Sequence, residues 1–316
     1  MNILFVDRVH SILQENLEEA GHICIDGTEL NREELKSKIK DFDGIIIRSR
    51  IEMNEDLLKH ALALNFIARS GAGMENIDVD YCQKKNIQLF NSPEGNRDAV
   101  GEHLIGMLLM LFDRLHIIRS EIKENKWLRE PNRGVELMGK TIGIIGYGNN
   151  GSAFAKKLSG FGCRILAYDK YKKDFTNSYV RSSGLEYIQE RADVLSFHVP
   201  LTDETHYYFN EDLMNKMVKP FYLLNACRGQ VVETASLVKG LESGKVLGAC
   251  LDVLEYEKFS FEDFMALPPP EDFHYLVNSD KVILSPHIAG WTDASYYKLS
   301  EVLWKKIKKW QDHLTS

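Results

Sequence analysis

The sequence has no apolar run long enough to cross a membrane. Its longest, Leu104–Phe112, is short and interrupted by Gly106, whereas a spanning helix needs about 20 apolar residues. It has no excess of basic residues either. Lys and Arg number 39 against 46 Asp and Glu, a formal charge of −7. This excludes the basic stripe of a nucleic-acid-binding surface but leaves room for a local pocket for a small anion. The start, "MNILFVDRVH", lacks the basic residues and cleavage site of a signal peptide. Cysteine is sparse. The five, Cys24, Cys82, Cys163, Cys227 and Cys250, are odd in number and fit neither a disulfide framework nor a zinc site. They read as small buried hydrophobes in a reducing compartment, so a cytoplasmic protein without metal is expected. Proline clusters only at 267–273, which reads as a surface loop. No internal repeat is visible.

Strand-like runs and helical patterns are present, and they alternate. The 316 residues, 44% of them hydrophobic, suffice for two domains. "NILFVD", "HICID", "GIIIRS", "NFIARSG" and "IQLFNS" form a first set of strands, and "TIGIIG", "RILAYD", "VLSFHV", "YLLNAC", "VLGACLDV" and "KVILSPH" a second. Alternation with helices implies parallel α/β sheets. Between the sets, "DAVGEHLIGMLLMLFDRLHIIRSEIKEN" reads as one long helix or two in tandem. It is apolar on most faces near its middle and so is expected to be buried between domains or subunits. The tail is a helix with a stripe of Leu299, Val302, Leu303, Ile307 and Trp310.

The second set opens on Gly146-Tyr147-Gly148-Asn149-Asn150-Gly151. Alone, this spacing is weak evidence. It also fits a glycine turn in an ordinary βαβ unit, or a methyltransferase-type nucleotide site. Here a strand precedes it, a helix follows, and the next strand ends in Asp169, 18 residues after Gly151. That is the pattern of a dinucleotide cradle, in which amides at a helix start face a pyrophosphate and a terminal acid takes the adenosine ribose. The acid would repel the extra phosphate of NADP, so NAD is the expected cofactor. Asn150 stands where the pattern is usually apolar.

Three further segments, "ARSGAGMENIDVDYC…NIQLFNSPEGNRDAVGEHLIGMLL", "LLNACRGQVVETASLVKGLESGKVLGACLDVLEYEK" and "VILSPHIAGWTDAS", resemble the D-isomer-specific 2-hydroxyacid dehydrogenase family, in order and over nearly the whole chain. The resemblance implies two doubly wound parallel-sheet domains, with a Rossmann NAD domain inserted into a flavodoxin-like substrate domain. A central glycine motif is then expected. The boundaries are placed at 1–97 and 285–316 for the substrate domain and at 98–284 for the NAD domain. The resemblance assigns Arg228 to the substrate carboxylate, His287 to acid/base catalysis, Glu257 as its partner and Asp252 to the nicotinamide. It adds Val199, Pro200, Thr205, Ala226, Cys227 and Gly290, with Asn149, Asn150 and His287, to the cofactor contacts. Glu255, two residues before Glu257, competes for the acid's role. Glu257 keeps the five-residue offset from Asp252 but is followed by Lys258 where the family usually has proline.

The chemistry agrees with these roles. A planar guanidinium binds a carboxylate bidentately, and an imidazole takes and returns a proton near neutral pH. Arg48 and Arg69, at ends of early strands, match phosphate-facing positions in one branch of the family. Alternatively, each is a solvated surface charge. With Ser70 and the turn Gly71-Ala72-Gly73, whose amides suit an anion, they point to a phosphorylated small 2-hydroxy acid. The expected reaction is NAD-dependent oxidation of 3-phospho-D-glycerate to 3-phosphohydroxypyruvate, at the start of serine synthesis. The alternatives are a glycerate or hydroxypyruvate reductase, or another D-2-hydroxyacid dehydrogenase, and, from a different class, a non-catalytic NAD-binding scaffold. The region 103–138 matches the family's dimer-forming segment, and Trp127 within it needs a burial site, so a homodimer is expected. The chain stops soon after its last helix, and no C-terminal regulatory domain is expected.

Overall fold

The computed structural model describes residues 1–257 and 270–314. Strands β1 (Asn2–Phe5), β2 (Ile23–Asp26), β3 (Gly44–Ile47), β4 (Phe66–Arg69) and β5 (Gln88–Asn91) pair in the order β2-β1-β3-β4-β5. Every pair is parallel. Strands β6 (Thr141–Ile145), β7 (Arg164–Tyr168), β8 (Arg181–Ser182), β9 (Val194–Phe197), β10 (Phe221–Asn225), β11 (Val246–Leu251) and β12 (Val282–Leu284) form a second sheet, in the order β12-β11-β10-β9-β6-β7-β8. It too is parallel throughout. The first order is that of a flavodoxin-like sheet and the second that of an extended Rossmann sheet.

The two sheets belong to two compact units. One joins Met1–Asn96 to Trp291–Ser316, and the other is Arg97–Gly290. Central strands are apolar on both faces, as parallel sheets covered by helices require. In the first unit, Leu4 and Val6 pack with Ile45, Ile47 and Ile67 on one face. Ile3 and Phe5 pack with Ile46, Phe66, Leu303 and Ile307 on the other. The last two come from the terminal helix Asp293–Leu314. Its expected stripe is largely realised: Leu299, Leu303 and Ile307 are buried, and the Trp310 ring stands edge-on to Phe66 and Phe90 at 5.6 and 5.8 Å.

Residues 285–290, expected with the returning segment, fall in the second unit. The cause is local: β12 pairs with β11, and the Ser285 and His287 amides donate to the carbonyls of Leu251 and Asp252. The long apolar segment is two helices, Pro93–Phe112 and Leu115–Lys123, separated at Arg114, which takes a left-handed conformation with φ 53°. Burial between domains or subunits does not account for its apolar middle. Leu104, Leu108, Leu111 and Phe112 pack with Ile142, Ile144 and Phe154 in the second unit's own core. The proline cluster lies partly outside the described residues. From Pro270 onward it caps a helix, Glu271–Asn278, with Glu271 and Asp272 in the first turn, where acids complement the helix dipole. Among the described residues no helix is long and apolar enough to cross a membrane.

Candidate active site

In the second sheet the chain runs outward from β6 through β7 to β8, then restarts at β9 on the other side of β6. Ligands of open α/β sheets bind beyond the carboxyl ends of the strands at such a reversal. The candidate residues of this unit follow strand ends: Gly146 after β6, Asp169 after β7, Val199 after β9, Arg228 after β10, Glu257 after β11 and His287 after β12.

The glycine motif is a close-packed turn. Gly146 has φ +93°, and a Cβ there would lie 2.5 Å from the His198 carbonyl oxygen. A Cβ on Gly151 would lie 2.1 Å from the Gly146 oxygen, so the helix Asn149–Leu158 seats directly on the turn. On the outer side, a Cβ on Gly148 would meet nothing within 4 Å. This is the open approach that a pyrophosphate needs in front of a helix N-terminus, and these residues fit NAD. The Asn150 side-chain oxygen is buried there with no hydrogen-bond partner among the described residues. Asp169 accepts from the amides of Tyr147 at 2.8 Å, Lys172 at 2.9 Å and Tyr171 at 3.0 Å. Burial pushes its carboxyl upward, but the three amides and the Lys172 charge together hold it below the ordinary value. It is an anion poised for a ribose diol. Thr205 Oγ1 donates to the Pro200 carbonyl at 2.6 Å and closes the loop after Val199. The Cys227 thiol donates to Asn225 Oδ1, and burial pushes its pKa up, so no reactive thiolate arises.

His198, which reading the sequence did not single out, lies under the turn. Its ring hydrogen-bonds Ser196 Oγ at 2.8 Å and faces Phe154 at 5.3 Å. Burial lowers its pKa from 6.5 to about 3. The unfolded chain therefore binds a proton below pH 6.5 that the folded chain excludes until about pH 3. Stability from this group is complete above pH 6.5 and is lost as pH falls, by about 1.4 kcal/mol per pH unit. Urea unfolding at pH 7 and pH 5 checks this: His198→Asn should lose about 2 kcal/mol less than wild type over that interval. Equal losses would show that His198 is not excluded from protonation.

Glu257 and His287, expected as the acid/base pair, meet after β11 and β12. His287 Nδ1 lies 2.7 Å from Glu257 Oε2. A carboxylate only accepts, so Nδ1 carries the proton and Nε2 is the nitrogen that exchanges one with a substrate. Glu257 Oε1 is held by the Leu254 amide at 2.5 Å. Glu255 points elsewhere, accepting from the Thr234 amide at 3.0 Å at the start of the helix Thr234–Ser243. His287 has φ 55°, a strained conformation for a non-glycine residue. Asp252, 1% exposed, fixes it there. Its carboxylate accepts from the Ile288 and Ala289 amides, both at 2.8 Å, and from Ser285 Oγ at 2.6 Å. His103 Nε2 lies 2.9 Å from the same hydroxyl. Asp252, expected at the nicotinamide, thus has a positioning role that the spacing did not reveal, and Ser285 and His103 had no sequence signal of their own.

Arg228 is half-buried, with Nη1 donating to the Cys227 carbonyl at 2.5 Å. Its backbone oxygen accepts from Asn225 Nδ2 at 2.9 Å. The next residue packs onto the acid-bearing turn: a Cβ on Gly229 would fall 1.9 Å from the Leu254 oxygen. The turn that carries Arg228 thereby packs against the turn that leads to Glu257.

In the first unit, Arg69 is 8% exposed. Its Nε donates to the Arg48 carbonyl at 3.0 Å and its Nη1 to the Gly73 carbonyl at 2.5 Å, so it braces the 71–73 turn from beneath. The Gly71 amide donates to the Arg69 carbonyl, while among the described residues those of Ala72 and Gly73 donate to no protein group. Ser70 Oγ is buried with no hydrogen-bond partner among the described residues. The Arg48 guanidinium makes no hydrogen bond among the described residues; it lies over the Trp291 ring, 4.2 Å from its centroid, with Tyr296 at 5.8 Å. Such stacking leaves the edge donors of a guanidinium available. Trp291 is a contact that sequence distance had hidden.

Residues 105–289 match the family model described as D-isomer specific 2-hydroxyacid dehydrogenase, NAD binding domain. The chain is 32% identical to a D-3-phosphoglycerate dehydrogenase of Methanocaldococcus jannaschii, over 98% of this chain and 57% of that protein. It thus spans little more than half the length of that relative. A hydroxypyruvate reductase of Thermotoga maritima is 33% identical over 96% of this chain and 95% of its own. Among solved structures, the D-lactate dehydrogenase of Aquifex aeolicus, complexed with NAD and lactic acid, superposes with a TM-score of 0.83. It is 28% identical, with 99% of this chain and 96% of that one covered.

Proposed function

This chain belongs to the D-isomer-specific 2-hydroxyacid dehydrogenase family, and on that premise we propose that it oxidises 3-phospho-D-glycerate to 3-phosphohydroxypyruvate with NAD, the entry step to serine. The observation that carries the dehydrogenase reading is the His287–Glu257 contact at 2.7 Å, beside the Arg228 turn. Arg228 binds the substrate carboxylate and orients the carbinol carbon. His287 Nε2 takes the hydroxyl proton, and Glu257 compensates the positive charge that forms on the ring. NAD, when bound, accepts the hydride from that carbon. In reduction the same imidazole returns the proton to the carbonyl oxygen. The exposed Trp127, Leu115, Ile122 and Met138 support a homodimer formed through this region.

The phosphate reading rests on Arg48, whose donors are uncommitted, and on the Ala72 and Gly73 amides. Arg69 enters it indirectly, because its own donors hold the turn in shape. A second reading, reduction of unphosphorylated hydroxypyruvate, is favoured by that commitment of Arg69 and by the full-length match to the Thermotoga relative. The test is the ratio of kcat/KM on 3-phosphohydroxypyruvate to that on hydroxypyruvate. A charged hydrogen bond contributes about 1.5–3 kcal/mol, so Arg48→Ala should lower the ratio by about 10- to 100-fold. Arg69→Ala should impair both substrates through the turn, and Arg228→Ala both through the carboxylate. No preference for the phosphorylated compound in wild type would favour the second reading. No NADH oxidation with any 2-oxo acid would leave only a binding role.

A further inference from the structure

Asp169 is followed by Lys170, Tyr171, Lys172 and Lys173. Such a basic run beside the ribose acid would by itself draw the 2′-phosphate of NADP and oppose the selectivity that Asp169 confers. The structure commits two of these side chains to protein acceptors. Lys172 Nζ donates to the Tyr147 carbonyl at 3.0 Å. Lys170 Nζ donates to Glu204 Oε2 at 2.6 Å, and the Tyr171 hydroxyl donates to the same oxygen at 3.0 Å. Among the described residues Lys173 makes no hydrogen bond or ion pair.

Glu204 is held in place for this contact. It lies in the loop after β9, which Thr205 closes on itself: Oγ1 donates to the Pro200 carbonyl at 2.6 Å and accepts from the Thr202 amide at 2.8 Å. We propose that Glu204 is a specificity-determining residue for the cofactor. It compensates the Lys170 ammonium, so that the side chain following Asp169 is committed to a carboxylate and is not offered to a 2′-phosphate. The proposal rests on the NAD reading of this site. It names the device that withholds Lys170 from a 2′-phosphate.

The pair is exposed, and exposed ion pairs are individually weak. The expected effect is therefore modest and comes from release of Lys170. Calorimetric titration of the purified protein with 2′,5′-ADP and with 5′-ADP measures it without turnover. Glu204→Gln should improve the affinity for 2′,5′-ADP relative to 5′-ADP by about 3- to 5-fold. In Glu204→Gln/Lys170→Gln the gain should disappear, because the released ammonium is its cause. A ratio within about twofold of wild type in Glu204→Gln, or a gain that survives removal of Lys170, overturns the proposal. A wild type that binds 2′,5′-ADP better than 5′-ADP would instead overturn the NAD reading. The comparison between variants would still decide whether Glu204 restrains Lys170.

Discussion

Replacing His287 with alanine is expected to lower turnover by about 10²–10⁴-fold, the usual contribution of a positioned general acid/base, while NADH binding changes little. In the proposed mechanism the cofactor is held chiefly at the glycine turn and Asp169, whereas the proton passes through His287 Nε2. Backbone strain complicates the alanine variant, because Ala tolerates φ 55° poorly. Asn tolerates it better, so His287→Asn should retain the fold and still be inactive. The partner acid is tested in parallel. Glu257→Gln should lose about tenfold or more in turnover. Glu255→Gln should keep its activity but melt lower, because it weakens the cap on the helix Thr234–Ser243, an effect of about 1 kcal/mol. A near-wild-type rate in both His287 variants would remove the acid/base assignment. An inactive Glu255→Gln beside an active Glu257→Gln would transfer the acid's role.

Gly229→Ala should be nearly as damaging, though it removes no functional group. The added Cβ would fall 1.9 Å from the Leu254 oxygen, 2.0 Å from its carbonyl carbon and 2.5 Å from the Glu255 nitrogen. All three are backbone atoms, so no rotamer relieves the clash, and one of the two turns must move. If the 228–229 turn yields, Arg228 leaves the carboxylate. If the 254–257 turn yields, Glu257 leaves His287. Either way, loss of a charged contact predicts a fall in kcat/KM of about 10- to 100-fold, with a lower melting temperature. Thermal melts and steady-state assays on hydroxypyruvate check both. Wild-type behaviour in both would mean that the turns do not approach as closely as described.

Much of this was legible in the sequence because it is local. Strand–helix alternation, the glycine spacing and Asp169 at a strand end are short-range patterns, and they imply the parallel sheets and the cradle. The choice between Glu255 and Glu257 was not local. Both follow β11, and only the Thr234 amide and the His287 ring, supplied by other segments, separate them. Arg69 is similar: the Arg48 and Gly73 carbonyls that occupy its donors exist only once β3 and β4 are paired. Arg48 and Trp291 meet because the chain returns to its first unit after Gly290, and no window of sequence contains both. Strand β8, two residues long, is too short for any periodicity to reveal.

Asp169 faces two ways, and this restricts how the protein can change. Its carboxylate would receive a ribose, but it also gathers the amides of Tyr147, Tyr171 and Lys172, stitching the glycine turn to the segment after β7. A substitution that admitted NADP by removing the acid would strip three backbone donors of their acceptor in the same step. Routes to a new cofactor preference that pass through Asp169 therefore carry a folding penalty, whereas routes through the surrounding side chains do not. Selection, natural or in the laboratory, would find its first successes at the rim of the nucleotide site and reach the acid only after another group had taken over those amides.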